Sequence, residues 1–118
     1  MAKKIEKDTE INLDEAESFL LKLEFSAGNV LKDYYNSGSF SGTEKTGVDF
    51  VTQADTEIDK LIIESLRKRF PRSAVLTEES APKDYSSLKN AQNVFIVDPL
   101  DGTTNFSRKN PNFAISIA

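Results

Sequence analysis

Apolar residues recur along the first third of the chain at steps of three and four: Leu13, Ala16, Phe19, Leu20, Leu23, Ala27, Val30, Leu31 and Tyr34. That spacing places them on one face of a helix. Asn12, with Glu15 three residues later, predicts its N-cap, and Asn36-Ser37-Gly38 its stop. Residues 37–47 are rich in Ser, Gly and Thr and read as a mobile loop or short hairpin carrying Lys45. A second helix is predicted from Thr52, with Asp55 as a capping partner. Ala54, Ile58, Leu61, Ile62 and Leu66 form its buried stripe, and Phe70-Pro71 ends it. Two short apolar runs follow, residues 74–76 and 94–97, separated by a polar stretch over 78–92. Both read as strands that run straight into acidic residues. Residues 113–118 read as a third strand, cut off at the last residue. Such a strand would leave an unpaired edge, so the pattern predicts a chain truncated within a larger sheet, the alternative being a short terminal strand. There is no internal repeat, low-complexity tract or interdomain linker.

Composition narrows the chemistry. The 118 residues suggest one domain, expected over 11–118, behind a flexible polar tail, residues 1–10. With 38% hydrophobic and 29% charged residues, the chain has an ordinary globular composition. Its net charge of -4 makes nucleic acid or an anionic membrane surface an unlikely default partner, since both want a basic field. No stretch approaches the roughly 18 apolar residues of a membrane span, and the first ten residues lack the apolar core of a secretory signal. A cytoplasmic protein is expected. The absence of cysteine rules out disulfides and thiolate metal sites, and the absence of histidine rules out His-based triads and imidazole zinc sites. Any metal must be held by oxygen, which favours Mg²⁺, Ca²⁺ or Mn²⁺.

The most informative segment is Val94-Phe-Ile-Val-Asp98-Pro-Leu-Asp101-Gly-Thr-Thr-Asn-Phe106. A buried strand delivers Asp98 at its carboxyl end, where open α/β sheets bind ligands. Pro99 stiffens the turn so that Asp98 and Asp101 can converge. Gly102 permits close backbone approach, and the amides of Gly102, Thr103 and Thr104 can open a helix and cradle a phosphate. Two carboxylates beside a phosphate repel it unless cations intervene, hence the metal inference. On its own the segment is equally an Asp-rich turn capping a helix. Leu76-Thr77-Glu78-Glu79-Ser80 places another acidic pair past a strand, and alone it reads more simply as solvated surface charge. In Asp49-Phe-Val-Thr52-Gln-Ala-Asp55 the last carboxylate already makes sense as a cap. That three acidic clusters all fall at element boundaries tips the balance towards a site.

In order and spacing, Asp49-x-Val-Thr-x-x-Asp55, Glu78-Glu-Ser80 and Asp98-Pro-Leu-Asp-Gly-Thr-Thr-Asn-Phe106, followed by Pro111 and Ser116-Ile-Ala118, resemble the inositol monophosphatases. The resemblance covers roughly residues 13–118. It implies an α+β half of a layered αβαβα sugar-phosphatase-type fold: two helices on a partial, mainly antiparallel sheet. It implies two or three Mg²⁺ ions, with Mn²⁺ as an alternative. Glu78, Asp98 and the carbonyl of Leu100 would hold the first ion, and Asp98 with Asp101 would contribute to the second. Thr103 would hydrogen-bond the attacking water, assisted by Asp55, which borders a more weakly held third ion. Gly102, Thr103 and Thr104 would contact the substrate phosphate. Lys45 would match a basic residue of the family's mobile loop, although its spacing to Asp49 is one residue short. Arg108 stands where many relatives have His. Relatives run more than twice as long, and their second half supplies a further metal-binding Asp in a Trp-Asp motif and most sugar contacts.

The function so implied is Mg²⁺-dependent, lithium-sensitive hydrolysis of a small phosphorylated polyol or sugar by a full-length, homodimeric parent, with the 118 residues alone inactive. One cation would lower the pKa of a water and the other would stabilise the leaving alkoxide. Without cations, Asp55, Glu78, Glu79, Asp98 and Asp101 around one pocket would be electrostatically untenable. An aspartyl-phosphate phosphatase is the rival enzyme, but that chemistry normally uses Asp-x-Asp rather than Asp-x-x-Asp. A non-catalytic metal-binding or interaction fragment is the rival outside enzymology.

Overall fold

The computed structural model describes residues 11–37, 47–78 and 86–118. Helix α1 (Leu13–Asn36) opens as expected: the Asn12 side chain accepts from the amides of Asp14 at 3.0 Å and Glu15 at 3.2 Å. These are two of the donors that a helix start leaves without an intrahelical partner. Glu15 itself faces elsewhere, 3.5 Å from Arg69. Both partners are exposed, so this ion pair contributes little.

Helix α2 (Gly47–Arg69) begins before the expected Thr52, which therefore lies inside the helix. Gly47, Val48 and Val51 are poor helix formers, but propensity is a weak prior, and extending a helix already anchored by its apolar stripe costs little. The side chain of Thr52, and so its capping role, lies outside the described residues, as do Lys45, Glu79 and the 1–10 tail.

Strand β1 (Ala74–Thr77) is followed by a one-turn helix α3 (Ser86–Lys89) within the stretch read as merely polar. Then come β2 (Val94–Asp101), a five-residue helix α4 (Thr103–Ser107) and β3 (Ala114–Ile117). The sheet order is β1-β2-β3. The sheet is mixed rather than mainly antiparallel, because β1 and β2 run parallel, with Ala74 opposite Val94 and Thr77 opposite Val97. Parallel neighbours need a crossover of about a dozen residues or more, and the polar stretch between them supplies that length. β2 and β3 are antiparallel, with Val97 opposite Ile117.

One face of the sheet is covered by the two long helices. α2 contributes Ala54, Ile58, Ile62 and Leu66 at four-residue steps, all at 0% exposure. α1 adds Ala16, Leu23, Ala27 and Leu31, and β2 adds Phe95 and Val97. Each large apolar side chain fully buried here stabilises the fold by about 1.5–3 kcal/mol relative to exposure. Leu13, expected on the buried stripe, is 79% exposed: it sits in the first turn, on the rim of an open cavity between α1 and the ends of β2 and β3. Phe70 joins the layers, edge-on to Phe19 at 5.4 Å and tilted against Phe95 at 5.2 Å. A second aromatic group, Tyr35, Phe106 and Phe113, ties the end of α1 to α4 and to the entry of β3.

Candidate functional site

The acidic end of β2 is shaped by one irregularity in the sheet. Asp98 pairs with Ser116 and Asp101 with Ala114, so β2 has an extra residue between them and bulges. This explains how the strand runs on to Asp101 rather than ending near Val97, and how Pro99 is tolerated inside it. Proline has no N–H for the ladder, and a bulge is one of the few strand positions that does not need one. Within the bulge the amide of buried Leu100 is met by a side chain of its own strand: Asp98 Oδ1 accepts from the Leu100 N–H at 3.3 Å. The half-buried Asp98 carboxylate is thereby turned along its own strand, one residue past the Val97–Ile117 pair.

Glu78 lies one residue past the Thr77–Val97 pair, so the parallel register sets Glu78 and Asp98 at neighbouring carboxyl ends of adjacent strands. Glu78 and Asp101 are exposed. Asp55 is half-buried on α2, which packs against β1, β2 and α4, and its Oδ1 is withdrawn from solvent. One turn further along α2, Asp59 is 6% exposed, and Thr77 at the end of β1 is 2% exposed. Sequence reading passed over Asp59, which stands outside the acidic clusters, and gave Thr77 no role although it precedes Glu78.

Gly102 follows with φ 87° and ψ 41°, the left-handed region, and heads α4 without a side-chain cap. A Cβ at this position would lie 2.9 Å from the carbonyl oxygen of Asn112 and 3.2 Å from Phe113 Cα. Gly102 is thus needed twice over, for its backbone angle and for the close passage of the 112–113 backbone. Thr103 and Thr104, on the first turn of α4, are exposed. The returning loop is laced to α4: the Asn105 side-chain amide donates to Asn112 O at 2.7 Å, and the Asn110 amide donates to Asn105 O at 2.8 Å.

Asp98, Leu100, Asp101, Gly102, Thr103 and Thr104 therefore form one continuous turn, with Glu78 on the adjacent strand end. The donor chemistry, oxygen throughout, suits a hard divalent cation. The number of donors does not: among the described residues no three acidic side chains form a group that could hold a metal ion. Cavities of about 610 and 630 Å³ open elsewhere, the first between α1 and the β2–β3 ends and the second beside Tyr35, Phe113 and Ile115.

Two helices on a small mixed sheet, with acidic residues and a glycine turn gathered at the strand ends, define the layered fold of the sugar-phosphatase type. A family model described as the inositol monophosphatase family matches residues 12–118, and the chain belongs to that family. It is 40% identical over 93 residues to the Nus factor SuhB of Salmonella typhimurium, covering 78% of this chain and 34% of that protein. It is 31% identical over 104 residues to inositol monophosphatase 2 of Rattus norvegicus, covering 88% of this chain and 36% of the relative. Among solved structures, inositol monophosphatase II from Staphylococcus aureus superposes with a TM-score of 0.72 at 30% identity, over 87% of this chain and 36% of the other. The chain thus spans about a third of the length of the curated relatives it matches. Among the described residues no helix is long and apolar enough to cross a membrane.

Proposed function

We propose that this chain supplies the strand-end half of a Mg²⁺-dependent phosphomonoesterase site whose substrate is inositol monophosphate or a related sugar phosphate. The observation that carries the reading is the short stretch from Asp98 to Thr104, in which a bulged strand carrying two carboxylates passes through a left-handed glycine straight into the first turn of a helix. Family membership and the inositol monophosphatases among the relatives support the substrate class.

By the family resemblance, Glu78, Asp98, Asp101 and the Leu100 carbonyl would hold Mg²⁺; since no three acidic side chains form such a group among the described residues, they would do so only together with donors from the rest of a relatives-length protein. When bound, the ion would acidify a water and neutralise phosphoryl charge. The chain's own contribution is placement. Asp98 and Asp101 stand on either side of the bulge, and Gly102, by its left-handed angles and the room it leaves for the 112–113 backbone, turns the chain into α4. The Thr103 hydroxyl orients the attacking water, with Asp55 accepting its proton. The Gly102, Thr103 and Thr104 amides receive the phosphoryl oxygens. With no group of three acidic side chains among the described residues and about a third of the relatives' length, the 118 residues by themselves are expected to turn over no substrate.

Phosphate release from inositol monophosphate by the relatives-length protein carrying this chain tests the reading. Release should require Mg²⁺ and stop in chelator, and full activity in chelator would overturn it. Because one relative is a Nus factor, a second reading is a non-catalytic role exercised through a partner. Inactivity of that longer protein on all small phosphomonoesters, with Mg²⁺ present, would favour it.

A further inference from the structure

The loop that returns from α4 to β3 carries a conformation its own sequence does not favour. Lys109 has φ 61°, and it alone among the described non-glycine residues has a positive φ. That angle closes α4: the Lys109 amide donates to Phe106 O at 3.2 Å and the Asn110 amide to Asn105 O at 2.8 Å, the left-handed ending common at helix C-termini, though usually with glycine. Lys109 is also gripped from outside the loop, by Tyr35 in the last turn of α1. The Tyr35 hydroxyl donates to the Lys109 carbonyl at 2.6 Å, and the Lys109 ammonium donates in return to the Tyr35 carbonyl. The ammonium also lies 4.7 Å from the centre of the Tyr35 ring. α1 has no basic residue in its own last turn. Lys109 therefore supplies, from 74 residues away, a cation for the negative end of that helix and a partner for a carbonyl that the helix leaves open.

The same contact reaches the candidate site. The Tyr35 ring packs on Phe106, 5.7 Å away, and on Phe113, 5.1 Å away. Phe113 and Asn112 are the residues against which Gly102 is closed. We propose that Tyr35 and Lys109 form a clamp that positions the Gly102–Thr104 turn, and that they are positioning residues for phosphate recognition there. The phosphate part of this inference rests on the function proposed above. The geometric part stands without it.

Two measurements separate those parts. Amide hydrogen exchange of the chain reads the clamp directly. Tyr35→Phe keeps the ring and removes only the donor, and Lys109→Met keeps most of the stem and removes the charge. Each should speed exchange at the Phe106, Arg108 and Asn110 amides about tenfold while leaving β1 and the middle of α2 unchanged. Lys109→Arg should restore the parent rates. Unchanged loop exchange in both variants, or equal acceleration throughout the chain, would overturn the clamp. In the relatives-length protein, affinity for inorganic phosphate should fall about tenfold in Tyr35→Phe and Lys109→Met and recover in Lys109→Arg. Loosened exchange with parent-like phosphate affinity would overturn the positioning role. A parent that binds no phosphate while its loop still loosens in the variants would overturn the proposed function and leave the clamp supported.

Discussion

Replacing Gly102 with alanine should destabilise the chain more than any other glycine substitution among the described residues. The backbone angles, φ 87° and ψ 41°, lie where an L side chain costs roughly 1–2 kcal/mol. The added methyl meets the Asn112 carbonyl oxygen at 2.9 Å, Phe113 Cα at 3.2 Å and Phe113 Cβ at 3.3 Å. Two of these are backbone atoms, so no side-chain rotation relieves the contact. They cannot retreat freely either, because Asn112 O accepts from Asn105 and the Phe113 ring is wedged against Tyr35 and Phe106. Adding a clash of about 1–2 kcal/mol to the dihedral term gives about 2–4 kcal/mol in total. For a domain of this size that lowers the melting temperature by roughly 10 °C or more. Thermal unfolding followed by circular dichroism at neutral pH measures it, with urea unfolding as a check on two-state behaviour. Gly102→Asn separates the two contributions, since asparagine tolerates the left-handed region but still carries a Cβ. It should recover part of the loss and not all of it. A Gly102→Ala protein melting within about 2 °C of the parent would show that the 112–113 backbone yields easily, and the close-approach argument would fail.

Gly28 is the counterexample: it lies within α1, and a Cβ there meets nothing within 4 Å, so Gly28→Ala should stabilise by about 0.5–1 kcal/mol, read as a higher urea midpoint. Asp98→Ala should destabilise by about 1–2 kcal/mol because the buried Leu100 amide loses its acceptor, whereas Asp98→Asn, which keeps an oxygen there, should cost less; equal urea midpoints for the two would deny that hydrogen bond any role. The hydrogen bond to the Glu57 carboxylate, then burial and the nearby charge, push the Tyr34 phenol up to about 12. Since the folded chain holds that proton more tightly, the associated stability is complete below pH 10 and is lost as pH rises through about 12. Ultraviolet titration should show one tyrosine ionising late, and in Glu57→Gln it should ionise earlier; an unchanged midpoint would remove Glu57 as the cause. Under the proposed function, Thr103→Ala in the relatives-length protein should lower kcat while sparing Mg²⁺ affinity, and Asp98→Asn should lose both; equal loss of metal affinity would reassign Thr103.

What the linear sequence determined was whatever depends on near neighbours. Asn12 caps α1 because its side chain reaches amides two and three residues away, and the four-residue rhythm of Ala54, Ile58, Ile62 and Leu66 forces one face of α2 inward. The acidic runs at strand ends, and the glycine that closes the second of them, were legible for the same reason. Tertiary structure decided the matters that turn on distant partners. Nothing local shows that β1 and β2 run parallel, because direction depends on how the crossover folds back. Nothing in Asp98-Pro-Leu-Asp101 shows that Pro99 occupies a bulge instead of ending a strand, since the bulge exists only against Ser116 and Ala114. Leu13 carries the right spacing yet is exposed, because it stands on the rim of a cavity that separates the start of α1 from the sheet. Lys109 has no distinguishing neighbour in its own segment. Its backbone angle closes α4 locally, but its charge meets the end of α1 only because Tyr35, 74 residues earlier, lies beside it.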